Sequence, residues 1–562
     1  MALFYFSSAW GQSYPQDYFG PPLKNKLILS GTFGELRSNH FHSGIDLKTK
    51  GKTGLPVLAI AQGYVSRIKV SPYGFGRALY VVHPNGYTSV YAHLQRFSPE
   101  VEEYLKKEQQ RRQKNSVNLY PPAGKFNFTK GQTIAYSGNS GGSGGPHLHF
   151  EIRDTRTEKI INPLLFGYKI ADTRHPSLKS LMVYEFKGED LVSSQNLKIL
   201  EKGNGRYVLA GNPLVAVNEL PAFGIETFDR QDDAWNKNGV FKIELYLNDE
   251  LCYNFTMETF AFAETRYINS HIDYGYKNCC QKTVNRLYLQ PNNQLSVYQS
   301  TPKMKLPQLP VDSSMEVLIR VSDVAENVSE LRFTVKRKEI LPPVKSAPVD
   351  LPLFRYRQSN FFKSKSLELS LPAGAFYQDV FFENRQVNSC AACLSPVEQV
   401  GYASTPVHKY FTLKIKAGAQ AAQVPKSKLC LVSVKEGAIV DYEGGTYQKG
   451  WVSARTRQFG QFALAADTLA PTLQALNFKE GGVVSSAAGL LKLKVYDDLS
   501  GVENYQAWVN GNWVRLYFDA KNNQLQLRTD DLPAKPGALT LKIEVSDDKN
   551  NKTVQSFKLT RA

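Results

Sequence analysis

The most constraining stretch of this chain is Ser137-Gly-Asn-Ser-Gly-Gly-Ser-Gly-Gly-Pro146, which runs directly into His147-Leu-His-Phe-Glu-Ile152. Polar and apolar residues alternate through the second part, so it reads as a strand. Leu148, Phe150 and Ile152 turn into a core, and His147, His149 and Glu151 lie on the opposite face. Two imidazoles then share one side of a rigid element. The glycines before them permit tight loop geometry and the close approach of a substrate backbone, a flexible hairpin loop being the plainer alternative. A phosphate-binding loop is excluded, because no Lys-Ser/Thr follows and the next element is a strand.

Six of the 9 histidines fall between residues 40 and 149: His40, His42, His83, His93, His147 and His149. Histidine is the commonest metal ligand and titrates near neutrality, so this concentration asks for a chemical reason. In His40-Phe-His-Ser-Gly-Ile-Asp46, His42 and Asp46 offer nitrogen and oxygen donors suited to a borderline cation such as zinc, and Gly44 allows the chain to turn so that both converge. One histidine of the 147/149 pair would complete three protein ligands and leave a fourth position for water, the pattern of catalytic zinc. His93, in Tyr91-Ala-His-Leu94, ends another alternating segment and by itself reads as a core or edge histidine.

Taken in order, Gly31-Thr-Phe-Gly-Glu-Leu-Arg37, His42-Ser-Gly-Ile-Asp46, Tyr91-Ala-His-Leu94, Lys130-Gly-Gln-Thr-Ile-Ala-Tyr-Ser-Gly-Asn139 and Gly145-Pro-His-Leu-His-Phe-Glu151 resemble the lysostaphin/LytM-type zinc metallopeptidases, the M23 family. The resemblance covers about residues 27–165. It implies a small antiparallel β fold, hydrolysis of peptide bonds in bacterial peptidoglycan, and one Zn2+ held by His42, Asp46 and His149. It also implies that His93 and His147 stand beside the metal as catalytic residues, one as base and the other stabilising the oxyanion, without dividing those roles. The same resemblance chooses His42 over His40 and His149 over His147. Glu151 either orients an imidazole or faces solvent. A member of the family that binds the wall or regulates another hydrolase without catalysis is the alternative reading. One departure is the long connection between Leu94 and Phe128. It carries Pro99–Lys114, a segment of strong helix formers expected to be a largely exposed helix that covers or gates the groove.

The remaining chain sets the architecture. Its length of 562 residues predicts three to four domains. A mainly β protein is expected: a signal-peptide remnant and leader (1–20), a small antiparallel β peptidase domain with the inserted helix (21–170), and three β-sandwich-like modules (171–340, 341–467 and 468–562). The first and last of these modules are expected to be immunoglobulin-like, since Val321-Ser-Asp-Val-Ala-Glu-Asn327 and Val545-Ser-Asp-Asp-Lys-Asn550 echo one another between alternating strands. No run approaches the roughly 18 apolar residues of a membrane-spanning helix. A net charge of +17 suits an anionic partner. Zinc-finger spacing, RNP motifs and arginine-rich arms are all lacking, so no nucleic acid is expected; a polyanionic envelope, such as a carboxylate-bearing wall, fits the charge equally well, and a basic surface with no charge-read partner is the plainer alternative. The 6 cysteines, all between residues 252 and 430, suggest disulfides in an oxidising compartment, with reduced buried thiols as the alternative. Together these readings predict an exported protein of the periplasm, cell envelope or extracellular space.

Overall fold

The computed structural model describes residues 14–188, 190–211, 214–217, 220–299, 309–310, 312–337, 351–387, 390–485 and 489–562. The protein is mainly β. Its N-terminal module is built on an antiparallel sheet of β1 (Leu29–Gly31), β2 (Ile45–Lys48), β3 (Gly63–Val70), β4 (Arg77–Val82), β5 (Tyr87–Ala92), β6 (Val117–Leu119) and β7 (His147–Asp154), in the order β1-β2-β7-β5-β4-β3-β6. Register places the chemistry: β7 pairs with β2 so that His149 lies opposite Asp46, and with β5 so that His149 also lies opposite Ala92, one residue before His93. Because side chains alternate with period two, a slip of one residue would send the whole polar set to the other face.

Leu148, Phe150 and Ile152 are fully buried, as the alternation requires, but His149 and Glu151 on the other face are buried as well. The second face is closed by Phe75, whose ring lies 5.1 Å from that of His149, and by Arg153, stacked 4.9 Å from Phe262. Only His147 is half-exposed.

Helix α1 (Pro99–Arg112) forms where expected. Proline at its start, acidic Glu100 and Glu102 in the first turn and basic Arg111 and Arg112 in the last suit the backbone dipole, and left-handed Gln113 (φ 48°) ends it. The helix is not solvated on every side. Val101, Leu105 and Gln109 are buried, and one edge of its polar side docks the C-terminal module: Arg515 lies 3.2 Å from Glu102, Lys106 2.9 Å from Asp531, and Gln110 donates to the Trp513 carbonyl at 3.1 Å. Of its other charged residues, Glu100, Glu103, Lys107, Arg111 and Arg112 are exposed, so the helix is largely solvated as expected, with a docked edge at Glu102, Lys106 and Gln110.

One hydrophobic core runs without a break from Tyr14 through the first module into the next, as far as Val335, and takes in Tyr377 beyond it. The sheet is continuous across the boundary expected near residue 170, since β8 (Ile160–Ile161) pairs with β7 on one side and with β9 (Thr259–Phe260) on the other. Separate cores fill the segment around Phe354 to Leu464 and the segment around Val484 to Leu559. Of the expected leader, residues 1–13 lie outside the described residues. Tyr14 and Phe19 are core residues, with the Tyr14 hydroxyl donating to Glu258 at 2.7 Å. The expected boundary at residue 341 also lies outside the described residues. Disulfides join Cys279 to Cys280 and Cys390 to Cys393, while Cys252 and Cys430 are free thiols. Among the described residues no helix is long and apolar enough to cross a membrane.

Candidate metal centre

The five residues singled out from the sequence converge. His42 Nε2 lies 3.1 Å from Asp46 Oδ1 and 3.1 Å from His149 Nδ1, and His149 Nδ1 lies 2.9 Å from Asp46 Oδ1. His147 Nε2 stands 3.4 Å from the same carboxylate oxygen. The His93 ring centre is 4.8 Å from that of His147 and 5.8 Å from that of His149. His40, by contrast, is exposed, and His83 is a satisfied core histidine between the Gln62 carbonyl and Ser89.

The outer nitrogen of each ring fixes what the inner one offers. A carbonyl or carboxylate only accepts, so the nitrogen facing it carries the proton. His42 Nδ1 donates to the Thr32 carbonyl at 2.7 Å, His93 Nδ1 to the Ser140 carbonyl at 2.8 Å, His147 Nδ1 to the Gly145 carbonyl at 2.8 Å, and His149 Nε2 to Glu151 at 3.0 Å. The remaining nitrogens are thereby left to present lone pairs toward the centre. Three such donors about 3 Å apart, one of them a carboxylate oxygen, repel unless a proton or cation lies among them. Their separation is close to the edge of about 3.3 Å that a tetrahedral ion with bonds near 2.05 Å requires. The donor set of two imidazoles and one carboxylate therefore fits zinc.

The electrostatics agree. Burial alone would raise the Asp46 carboxyl, but His42, His147 and His149 hold it well below the usual carboxylate range. Burial would lower His149, yet its hydrogen bonds to Asp46 and Glu151 outweigh this and raise it to about 9. Burial, reinforced by the neighbouring His149 and His147, lowers His93 to about 3 and keeps it neutral. His93 also sits at φ 56°, a left-handed backbone uncommon for a residue with a Cβ, which turns its side chain into the centre.

Several supporting residues escaped the sequence reading. Arg37 Nη2 lies 3.4 Å from the second oxygen of Asp46 and its Nε 3.0 Å from Glu35; the motif containing both was visible, but no spacing rule ties it to Asp46. Glu151 is fully buried and paired with Arg153, so of its two readings the one that touches His149 holds in the fold. The glycine-rich loop is fastened, with Arg77 N–H donating to Ser140 Oγ and Gly142 N–H to the Gly74 carbonyl, and it supplies the carbonyls that orient His93 and His147. The chain bends at Gly44, as expected, and the residue also serves through space: a Cβ there would lie 2.4 Å from the Phe150 carbonyl oxygen of the neighbouring strand.

The chain is similar to known proteins over parts of its length. The profile of Peptidase family M23 matches residues 40–110, and that of the Zu5-like domain matches residues 352–467. An uncharacterized metalloprotease of Haemophilus influenzae is 28% identical over 160 residues, which is 27% of this chain and 28% of that protein. The DD-carboxypeptidase/endopeptidase Mpg of Neisseria meningitidis serogroup B is 31% identical over 118 residues, 21% of each chain. The match thus spans under a third of either relative. Among solved structures, the catalytic domain of lysostaphin from Staphylococcus simulans aligns at 22% identity over 25% of this chain and 92% of its own, with a TM-score of 0.19. A zinc containing peptidase from Vibrio cholerae aligns at 25% identity over 25% of this chain and 36% of its own, with a TM-score of 0.18.

Proposed function

The N-terminal module belongs to peptidase family M23, and from that premise we propose that the chain is a zinc-dependent endopeptidase that hydrolyses peptide bonds in bacterial peptidoglycan. The observation that carries this reading is the convergence of His42 Nε2, Asp46 Oδ1 and His149 Nδ1, each within 3.1 Å of the others. These three residues would hold the metal. Zinc, when bound, acidifies a water molecule to a pKa near 7 and polarises the scissile carbonyl.

His93 and His147 do the proton work. Each has its Nδ1–H tied to a loop carbonyl, so its Nε2 is a lone pair aimed at the reacting centre. One accepts a proton from the attacking water on its Nε2, and the proton is later delivered to the leaving amine; the other stabilises the charge building on the carbonyl oxygen only in the form that also carries a proton on Nε2. Half-exposed His147 lines the open side, where substrate arrives. The name of the Neisseria relative supports a D,D-peptide cross-link as the substrate. The surplus of cationic residues favours a carboxylate-bearing wall, and a wall substrate together with the Cys390–Cys393 disulfide favours an exported protein.

The test is digestion of purified sacculi, with mass spectrometry of the released fragments. The protein should carry about one zinc and release peptide fragments. His149→Ala should lose both the metal and the activity, and normal cleavage by that variant would contradict the ligand assignment.

A further inference from the structure

The two segments that echo one another in sequence fold in the same way. Asp323 accepts from the Asn327 backbone N–H at 2.9 Å and from its Nδ2 at 2.8 Å; Asp547 accepts from the Asn551 backbone N–H at 2.8 Å and from its Nδ2 at 2.7 Å. Each asparagine Nδ2 also reaches back to the backbone carbonyl of an aspartate in the segment leading into the module, Asp172 at 3.3 Å or Asp467 at 3.1 Å. A third aspartate from another loop, Asp229 or Asp497, completes each group. Within the trios Asp172, Asp229, Asp323 and Asp467, Asp497, Asp547, one oxygen from every residue lies within 4.8 Å of the others.

Carboxylates crowd together elsewhere in proteins without a ligand, so the surroundings decide. The first trio lines a cavity of about 140 Å³ together with Gln231. Asp229 is 2% exposed and Gln231 4%, and among the described residues Asp229 Oδ1 and Gln231 Oε1 find no hydrogen-bond donor. Buried acceptors without donors are expensive, and several of them facing one cavity call for a cation. Burial, then the neighbouring carboxylates, push Asp229 up to about 8, and burial is the main cause that takes Asp172 up to about 7, more than Arg174 offsets, so without a cation this group is neutral only by holding protons. The second trio lacks such a setting: Asp497 is half-buried, and the trio is a cluster of carboxylates alone.

We propose that the first trio, Asp172, Asp229 and Asp323, binds one calcium ion and so fastens the second β module to the segment that leads into it. The donors are all hard oxygens, carboxylates with the Gln231 amide carbonyl lining the same cavity, and no imidazole or thiolate takes part. That set selects calcium over zinc, and its irregular spacing suits calcium better than the strict octahedron of magnesium. The cavity is also lined by Thr32 and Asn162 of the peptidase module, so an ion there stiffens the join behind the zinc site.

The experiment is calorimetric titration of the full chain with CaCl2 after its zinc site has been filled. One ion at this trio is expected, with a dissociation constant of about 10⁻⁴–10⁻³ M or tighter, at least about tenfold weaker binding of MgCl2, and a melting temperature raised by several degrees in about 10 mM CaCl2. Asp229→Asn/Asp323→Asn should abolish that binding. Should the double variant fail to fold, the single Asp229→Asn decides, because that Oδ1 has no hydrogen bond in the fold to lose; it should fold normally and bind calcium at least about tenfold more weakly. Absence of both heat and thermal shift in the unaltered chain would overturn the proposal, as would calcium binding of parental strength in a folded Asp229→Asn protein.

Discussion

Replacing Glu151 by glutamine separates the two tasks of a fully buried carboxylate. Its Oε1 accepts from His149 Nε2 at 3.0 Å, while Oε2 accepts from Arg153 Nε at 2.7 Å and Nη2 at 2.5 Å. Glutamine keeps the shape and removes the charge. Its amide satisfies only one side, since an oxygen turned to His149 leaves an NH2 facing the guanidinium, and the reverse leaves it facing the imidazole N–H. Loss of the anionic partner that orients a ligand costs about 10–100-fold in metal affinity, or roughly 1.4–2.7 kcal/mol. Leaving Arg153, 6% exposed, without its counter-ion costs about 3–5 kcal/mol of stability. Glu151→Gln/Arg153→Met removes the second penalty, because a methionine chain still lies against Tyr80 and Phe262, whose ring centres are 5.4 and 4.9 Å from the guanidinium carbon. The single variant should therefore melt well below the parent and bind zinc weakly. The double variant should recover much of the melting temperature and still bind zinc weakly. Competition against a chromophoric chelator gives the affinity and calorimetry the stability. Parental zinc affinity in both variants would refute the claim that Glu151 positions His149.

Further outcomes follow from the same geometry. In the metal-free chain His149 is raised to about 9, so it holds a proton at pH 7 that zinc must displace. Apparent zinc affinity should climb about tenfold per pH unit from about pH 7 to about 9 and then level off, while the stability that this proton gives the metal-free fold is complete below about pH 6.5 and lost as pH rises through about 9; a flat affinity profile would contradict this. His93→Ala and His147→Ala should keep their zinc and lose about 10²–10⁴-fold in kcat on sacculi, and metal loss equal to that of His149→Ala would undo the division between ligands and proton carriers. Gly44→Ala should destabilise by about 1–3 kcal/mol and weaken zinc binding, measured by melting and chelator competition, because its Cβ meets the Phe150 carbonyl oxygen at 2.4 Å. Arg515→Met removes a partner shared by Asp531 and half-buried Glu102, which keep Lys106 and Arg77, and should loosen the C-terminal module from α1 by about 1–3 kcal/mol, seen as faster proteolysis within residues 468–562.

The centre was legible because its pieces obey short-range rules. Alternation put His147, His149 and Glu151 on one face and local donors pointed to His42 and Asp46, but the place of His93, and the choice of His42 over His40 and of His149 over His147, came only with the family resemblance. What escaped depends on distant chain. The second face of β7 is sealed by Phe75 and Phe262, and no periodicity in residues 147–152 announces residues 70 or more positions away. The docked edge of α1 looked solvated because its contacts are polar: Glu102, Lys106 and Gln110 meet a module some 400 residues downstream. The first two modules looked separable because the pairing of Ile160–Ile161 with Thr259–Phe260 leaves no trace in composition. The echo of Val321–Asn327 in Val545–Asn550 was visible as a strand turn. Its carboxylate partners Asp172 and Asp229, or Asp467 and Asp497, are brought in only by the fold.

The most direct measurement is anomalous diffraction at the zinc edge from crystals of the zinc-loaded chain. The account predicts one strong peak about 2.0–2.2 Å from His42 Nε2, Asp46 Oδ1 and His149 Nδ1. A peak bound elsewhere, or none at that triangle in a fully active crystal, would contradict it.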